Sequence, residues 1–240
     1  MELRGASALV TGAGRGIGRA IALALAREGL PVTVVARTAS QLQSLVREIE
    51  AAGGHAVYHA GDLRQRGVCE AAVARAVEAH GGLQVLVNNA GVGGHAPVAE
   101  TSDESWDEIL GTNLTAVFRL TRAALPHLGR RGGHVFMVSS LAGSNAIAGM
   151  AAYCASKAAL DHFAQCLMLE VRQQGIKVTT LAPGSVDTAF GGREEGARGR
   201  DAWMLRPEDV AGAVLDLLRT RDDAHLSRVE MRPLRPQKRA

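Results

Sequence analysis

The segment Ala6-Ser-Ala-Leu-Val10-Thr11-Gly12-Ala-Gly-Arg15-Gly16-Ile17-Gly18 joins an apolar run to a glycine-rich turn and then to a helix. Ala6–Val10 has the composition of a buried strand, and Ile17–Glu28 repeats apolar residues at helical spacing until Gly29. A strand, a tight turn and a helix in that order build an anion-binding corner. Gly12 allows the turn, Gly16 lets backbone approach a pyrophosphate, and Gly18 permits close helix–strand packing. The helix N-terminus presents free N–H groups and a partial positive charge to the anion. No Lys-Ser/Thr pair follows the glycines, which excludes a nucleotide-hydrolysing phosphate loop. On this motif alone a methyl-donor-binding fold or a purely structural turn stays open.

The same alternation continues outward. Val32–Ala36, Ala56–His59, Val85–Val87, Val135–Val138 and Val178–Leu181 read as strands, with Val229–Met231 as a last one. Ser40–Ala52, Gly67–His80, Ser102–Leu110 (capped by Ser102), Val117–Leu128, Tyr153–Gln173 and Pro207–Leu218 read as helices. The strands lack polar alternation, so both faces of a parallel sheet must be covered. The expected fold is α/β: a Rossmann-type doubly wound parallel sheet of about seven strands, helices on both faces, in one domain over residues 1–240. Gly91–Pro97 and Ala189–Arg200 break the pattern as loops, and loops over the C-terminal edge of such a sheet are where ligands bind. The second belongs to an expected mobile substrate loop over 189–205.

With 240 residues, 47% hydrophobic and 21% charged, the chain sustains one core without disulfides or a structural metal. Its net charge of +3 equals the excess of bases over acids in the tail 221–240, and only 3% of residues are aromatic. Nucleic-acid binding, which needs a basic stripe on a folded face, is not expected. Cys69, Cys154 and Cys166 form no CxxC pair, and His55 and His59 fall on a strand, so no metal site is expected. The longest aliphatic run, Ala20–Ala26, is too short to cross a bilayer, and Met1–Arg4 leads into a strand without an apolar signal region. A cytoplasmic protein that binds no membrane is the expectation.

Two sites carry chemistry. The second strand ends Val34-Val35-Ala36-Arg37 with no acid to hold a ribose 2′-hydroxyl, and Arg15 adds a second base. This combination favours NADP over NAD. Asp62, after the third strand, is a candidate partner for the adenine amine or a cap for the next helix. Tyr153 and Lys157 stand four apart at the start of the longest helix, on one face. An ammonium ~4 Å from a phenol, at an effective dielectric of ~20, favours phenolate by on the order of 4 kcal/mol. That would bring the phenol towards neutrality as a general acid–base; a surface Tyr/Lys pair is the plain alternative.

Together, Thr11-Gly-x-x-x-Gly-x-Gly18, Asn88-Asn89-Ala90-Gly91, Asn113, Ser139-Ser140 and Tyr153-x-x-x-Lys157 resemble the short-chain dehydrogenase/reductase family over about residues 5–220. The resemblance implies that Ser140 positions a substrate carbonyl, with Ser139 as second choice. Tyr153 would protonate its oxygen, Lys157 would hold the nicotinamide ribose and depress the tyrosine, and Asn113 would anchor a water. It places Ile17, Leu63, Asn88, Ala90 and Gly91 along the cofactor wall, with Asn89 structural, and sets Val186 and Thr188 against the nicotinamide amide. It agrees with NADP through Arg15 and Arg37, and it implies a homodimer or homotetramer.

The tail Arg228–Ala240 departs from the glycine-rich ending of the family's acyl-carrier-protein reductases. An NADP(H)-dependent reductase or dehydrogenase acting on a small carbonyl or alcohol substrate is therefore the leading expectation. 3-Oxoacyl carrier-protein reduction and a non-catalytic NADP-binding sensor are the alternatives. Gly93-Gly94-His95, Ser144–Met150 and the loop with Arg193, Arg198 and Arg200 are the expected substrate walls.

Overall fold

A chain whose strands are apolar on successive residues must bury both sheet faces, and the computed structural model, which describes residues 5–128, 132–191 and 203–235, does so. The strands are β1 (Ala8–Thr11), β2 (Val32–Ala36), β3 (Ala56–Ala60), β4 (Val85–Asn88), β5 (Gly133–Val138), β6 (Ile176–Pro183) and β7 (Arg228–Met231). They form one seven-stranded sheet in the order β3-β2-β1-β4-β5-β6-β7. Every pairing is parallel. The helices are α1 (Gly16–Arg27), α2 (Ala39–Ala51), α3 (Val68–His80), α4 (Asp103–Leu110), α5 (Ala116–Leu128), α6 (Ala151–Val171) and α7 (Pro207–Leu218).

Period-two alternation sorts each strand between two cores. Val10, Val34, Val85 and Val87 pack with Ile21 and Leu25 of α1, Leu45 of α2 and Val214 of α7. Leu9, Val35, Leu86 and Met137 pack on the other face with Val73 of α3, Leu120 of α5 and Leu160 of α6. This is the expected doubly wound single-domain fold. Ser102 caps α4 as expected, its hydroxyl accepting from Ser105 N at 3.2 Å.

Two features depart from the sequence reading. The gap expected between Leu110 and Val117 is a π-helical turn, Gly111–Thr115, that makes α4 and α5 nearly continuous. Gly111 adopts right-handed helical angles, so the helical stripe runs through the turn. The basic tail is not free either. Arg228–Met231 supplies β7, Arg228 pairs with Asp161 and Glu230, Arg232 with Glu230, and Arg221 with Asp223. Among the described residues, Arg221, Arg228 and Arg232 are thus paired with nearby carboxylates. Among the described residues no helix is long and apolar enough to cross a membrane. Arg193, Arg198 and Arg200 lie outside the described residues.

Candidate active site

Strand order reverses between β1 and β4, and the crevice above their C-terminal ends is where such sheets bind ligands. Thr11 ties the two strands: its hydroxyl donates to Val87 O at 3.2 Å and accepts from Asn89 N and Ala90 N at 3.0 Å. Asn89 returns the tie, Nδ2 donating to Thr11 O at 2.9 Å. A Cβ on Gly18 would stand 2.4 Å from both that amide nitrogen and Gly12 O, so only glycine fits. Gly12 has φ +63°, and its Cβ would meet Asn89 Nδ2 at 2.8 Å. Gly16 (φ +55°) faces Thr188, whose Cγ2 a Cβ would reach at 3.1 Å. Thr188 thus returns over the glycine turn, while Val186 is buried in the core. The bridge between Val186 and Leu205 fastens the base of the loop that follows β6.

The first turn of α1 has no acidic residue, and Arg15 at its N-cap makes no side-chain capping bond. Its N–H groups therefore face the crevice ready for an anion. At the far end, Asp62 is gripped by Arg64. The guanidinium donates Nη2 to Oδ2 at 2.7 Å and Nε to Oδ1 at 3.2 Å, and Arg64 N donates to Oδ1 at 3.0 Å. That grip holds the Asp62 carboxyl below its ordinary range. Arg64 was not foreseen; its place two residues after Asp62 was the available signal. Arg37 is exposed and faces Glu108 at 3.7 Å. Leu63 is buried in one core and Ile17 packs against the other, on the opposite face of the sheet. Asn88 differs from expectation: its side chain turns beneath the sheet edge, donating to Thr121 Oγ1 at 3.1 Å, which leaves only main chain for the wall. Ala90 N is held by the Thr11 hydroxyl, and Gly91 lies beside Asn113 and Lys157.

The catalytic candidates meet at the other end. The buried stripe of α6 runs Tyr153, Ser156, Lys157, Leu160, Asp161, Ala164, Leu167. It is polar in its first turns, where a core stripe should be apolar, and such exceptions mark functional positions. Tyr153 is 8% exposed and Lys157 4%. Lys157 Nζ donates to Val138 O at 2.9 Å and lies 5.7 Å from the Tyr153 ring centroid. Burial pushes the Tyr153 phenol up, and the hydrogen bond with Ser140 pulls against it. The sequence argument takes the ammonium alone; in the folded protein desolvation is the largest influence on the phenol and acts upward. Lys157 is itself pushed down by burial to about 8.

Asn113, in the π-turn, is fully engaged. Nδ2 donates to Val92 O at 2.9 Å and Ser156 Oγ at 3.0 Å, and Oδ1 accepts from Val92 N. Ser156, also unforeseen, donates to Tyr153 O at 2.7 Å and so links the π-turn to α6. Ser140 faces Tyr153, whereas Ser139 is buried behind it. Cys154 packs sideways near Asn145 O. Phe190 tilts towards Tyr153 with ring centroids 5.7 Å apart and covers Gly93, where a Cβ would strike its ring at 2.9 Å. His95 rests on Gly149 and Ala96 N donates to Gly149 O, joining two expected substrate walls.

A glycine corner at the reversal point of a parallel sheet, with a buried Tyr/Lys pair and a half-buried serine at the same edge, defines an oxidoreductase built on a nicotinamide dinucleotide. Residues 6–198 match the model for short chain dehydrogenase. A Streptomyces coelicolor protein named as a ketoacyl reductase is 41% identical over 208 residues, covering 85% of this chain and 78% of its own. An alcohol dehydrogenase from Thermococcus sibiricus, solved with 5-hydroxy-NADP, superposes with a TM-score of 0.91 at 31% identity, covering 97% of this chain and 99% of its own. A metagenomic short-chain oxidoreductase solved with NADP gives 0.84 at 37% identity, covering 97% and 98%. The chain belongs to the short-chain dehydrogenase family.

Proposed function

We propose that this protein is an NADP(H)-dependent carbonyl reductase or alcohol dehydrogenase in which Tyr153 is the general acid–base. The observation that carries the reading is the burial of Tyr153 and Lys157 together on α6, with the half-buried Ser140 hydrogen-bonded to the Tyr153 phenol. The uncapped α1 N-terminus and the glycine cradle fit a dinucleotide pyrophosphate, with Gly12, Arg15, Gly16, Ile17 and Gly18 around it. Arg37, Asp62 and Leu63 border the adenosine, Asn88, Ala90 and Gly91 form the wall, and Val186 and Thr188 meet the nicotinamide end. A Cβ on Gly91 would fall 3.3 Å from Asn113 Oδ1 and 3.6 Å from Lys157 Nζ, which suits that glycine to a ribose approaching Lys157. Bound there, the nicotinamide supplies or accepts the hydride.

The chain's own groups manage the oxygen. Ser140 Oγ donates a hydrogen bond to the substrate carbonyl oxygen, and Tyr153 Oη gives that oxygen its proton in reduction, or takes it in oxidation. The raised phenol stays protonated at neutral pH, as reduction requires. Because the Asn113 side chain is spent on Val92 and Ser156, a relay water there has only the main-chain carbonyl to bind. Phe190, Gly93 and His95 shape the space for the substrate. NADP is favoured over NAD by Arg15 and Arg37. A cytoplasmic homodimer or homotetramer completes the reading, with Phe118 on α5, ring to ring with Phe163 on α6, as the apolar face for a second copy.

The test is loss of NADPH absorbance against a panel of aldehydes, ketones, diketones and acetoacetyl thioesters, with NADH in parallel. Turnover of one carbonyl class with NADPH supports the reading. Turnover of the thioesters alone favours 3-oxoacyl reduction, which the Streptomyces relative's name suggests and the β7 sequence disfavours. Tight NADPH binding with no turnover on any class favours a sensor.

A further inference from the structure

Tyr153, Lys157 and Asp161 lie on one buried stripe of α6 at successive intervals of four. Asp161 is 6% exposed. Its Oδ2 accepts from Arg228 Nη1 at 2.6 Å, while Oδ1 is buried without a hydrogen-bond partner. Arg228 reaches it from β7 and also donates to Ser144 Oγ at 2.7 Å and to Glu230. The loop makes room for the carboxylate: a Cβ on Gly143 would stand 2.6 Å from Oδ2. A buried carboxylate with one free oxygen and one salt bridge is costly unless a second charge uses it.

We propose that Asp161 and Arg228 are positioning residues that set the pH range of the active site, Asp161 holding Lys157 protonated and Arg228 limiting that hold. The proposal rests on the reading of Tyr153 and Lys157 as the working pair. Lys157 is faced by Tyr153 and Asp161 on its own helix, by the Val138 carbonyl of β5, and by the neutral Asn113 and Gly91. Asp161 is faced by Arg228, which also holds Glu230 and Ser144. Asp161 is therefore the charge that opposes the downward pull of burial on Lys157. Removing it makes the ammonium give up its proton sooner; removing Arg228 unmasks the carboxylate and does the reverse. Loss of that proton strips the phenolate of its counter-charge.

The chain has three lysines, Lys157, Lys177 and Lys238, so lysine-selective isotope labelling gives few side-chain signals, assigned with K177R and K238R. The Lys157 titration is followed by NMR in the parent, Asp161→Asn, Arg228→Gln and the double variant, with a melting curve for each. The expected result is a midpoint lowered by about one pH unit in Asp161→Asn, raised in Arg228→Gln, and near the parent in the double variant. The alkaline limb of NADPH-dependent reduction should shift in step. Unmoved midpoints, or shifts of one sign in both single variants, overturn the proposal, as does activity lost equally at every pH with melting alone changed. If Asp161→Asn does not fold, Arg228→Gln decides by the same criterion. Because the titration needs no turnover, it stands apart from Tyr153→Phe: an active Tyr153→Phe enzyme would sink the catalytic reading while leaving the charge coupling measurable.

Discussion

Arg37 at the end of β2 and Arg64 after β3 reach the same carboxylate, that of Glu108 on α4, at 3.7 and 3.5 Å. With Asp62 bound to Arg64, two guanidiniums and two carboxylates share this rim and their formal charges cancel. On the proposed NADP reading, a 2′-phosphate at this rim would compete with Glu108 for Arg37. Glu108→Gln should therefore lower the NADPH KM about three- to tenfold and leave NADH nearly unchanged, and Arg37→Ala should weaken NADPH by a similar factor. Both charges are well exposed, 63% for Arg37 and 43% for Glu108, so screening keeps the effect modest. Fluorescence titrations with both cofactors read it; equal changes for the two would remove this rim from cofactor choice.

Asn89 holds the glycine turn rather than a ligand. Its amide donates to Thr11 O at 2.9 Å and approaches Gly12 O at 3.3 Å. Asn89→Ala leaves those carbonyls short of a donor, at a cost of about 1–3 kcal/mol. Urea unfolding should show that loss, and NADPH affinity should fall with it because the turn loosens. Full stability with weakened NADPH binding would instead make Asn89 a direct contact.

Tyr153→Phe keeps the ring, its tilt towards Phe190 and the volume of the core, and removes one hydroxyl. NADPH should bind within about twofold of the parent, because the phenol contributes its proton rather than its bulk. Turnover should fall by about 10²–10⁴-fold, the usual worth of a positioned general acid. Calorimetric NADPH binding and single-turnover reduction separate the two quantities.

What could be read in the chain depended on how far apart the interacting residues lie. The glycine turn, Tyr153-x-x-x-Lys157 and the Ser102 cap are local patterns, and strand–helix alternation was enough to imply a parallel sheet covered on both faces. Pairings across the fold were not legible. Arg228 meets Asp161 across 67 positions, and nothing near either residue announces the other. Burial was not legible either: the tyrosine–lysine spacing suggested a lowered phenol, and the depth at which α6 buries Tyr153, which pushes it up, could not be read from spacing. Asn88 belonged to a recognisable motif, yet strand alternation turns its side chain away from the crevice.

His134 shows the same dominance of burial, with a consequence for stability. It lies on β5, its Nε2 paired with Thr179 Oγ1 at 2.8 Å and its ring stacked on Phe136 at 4.0 Å. Desolvation, helped by Lys177 and His225, lowers it from 6.5 to about 3. A group depressed in the folded state contributes stability that is fully present above its unfolded value. That stability is lost as pH falls towards the folded one. The loss is about 1.4 kcal/mol per pH unit, or about 2 kcal/mol between pH ~6.5 and ~5. His80, also lowered chiefly by burial, adds to it with the same sign. His134→Gln retains a partner for Thr179 without a titrating ring. Its urea midpoint should be lower than the parent's near neutrality and fall less between neutral pH and pH ~5. If both proteins lose the same stability over that range, the acid sensitivity comes from groups other than His134.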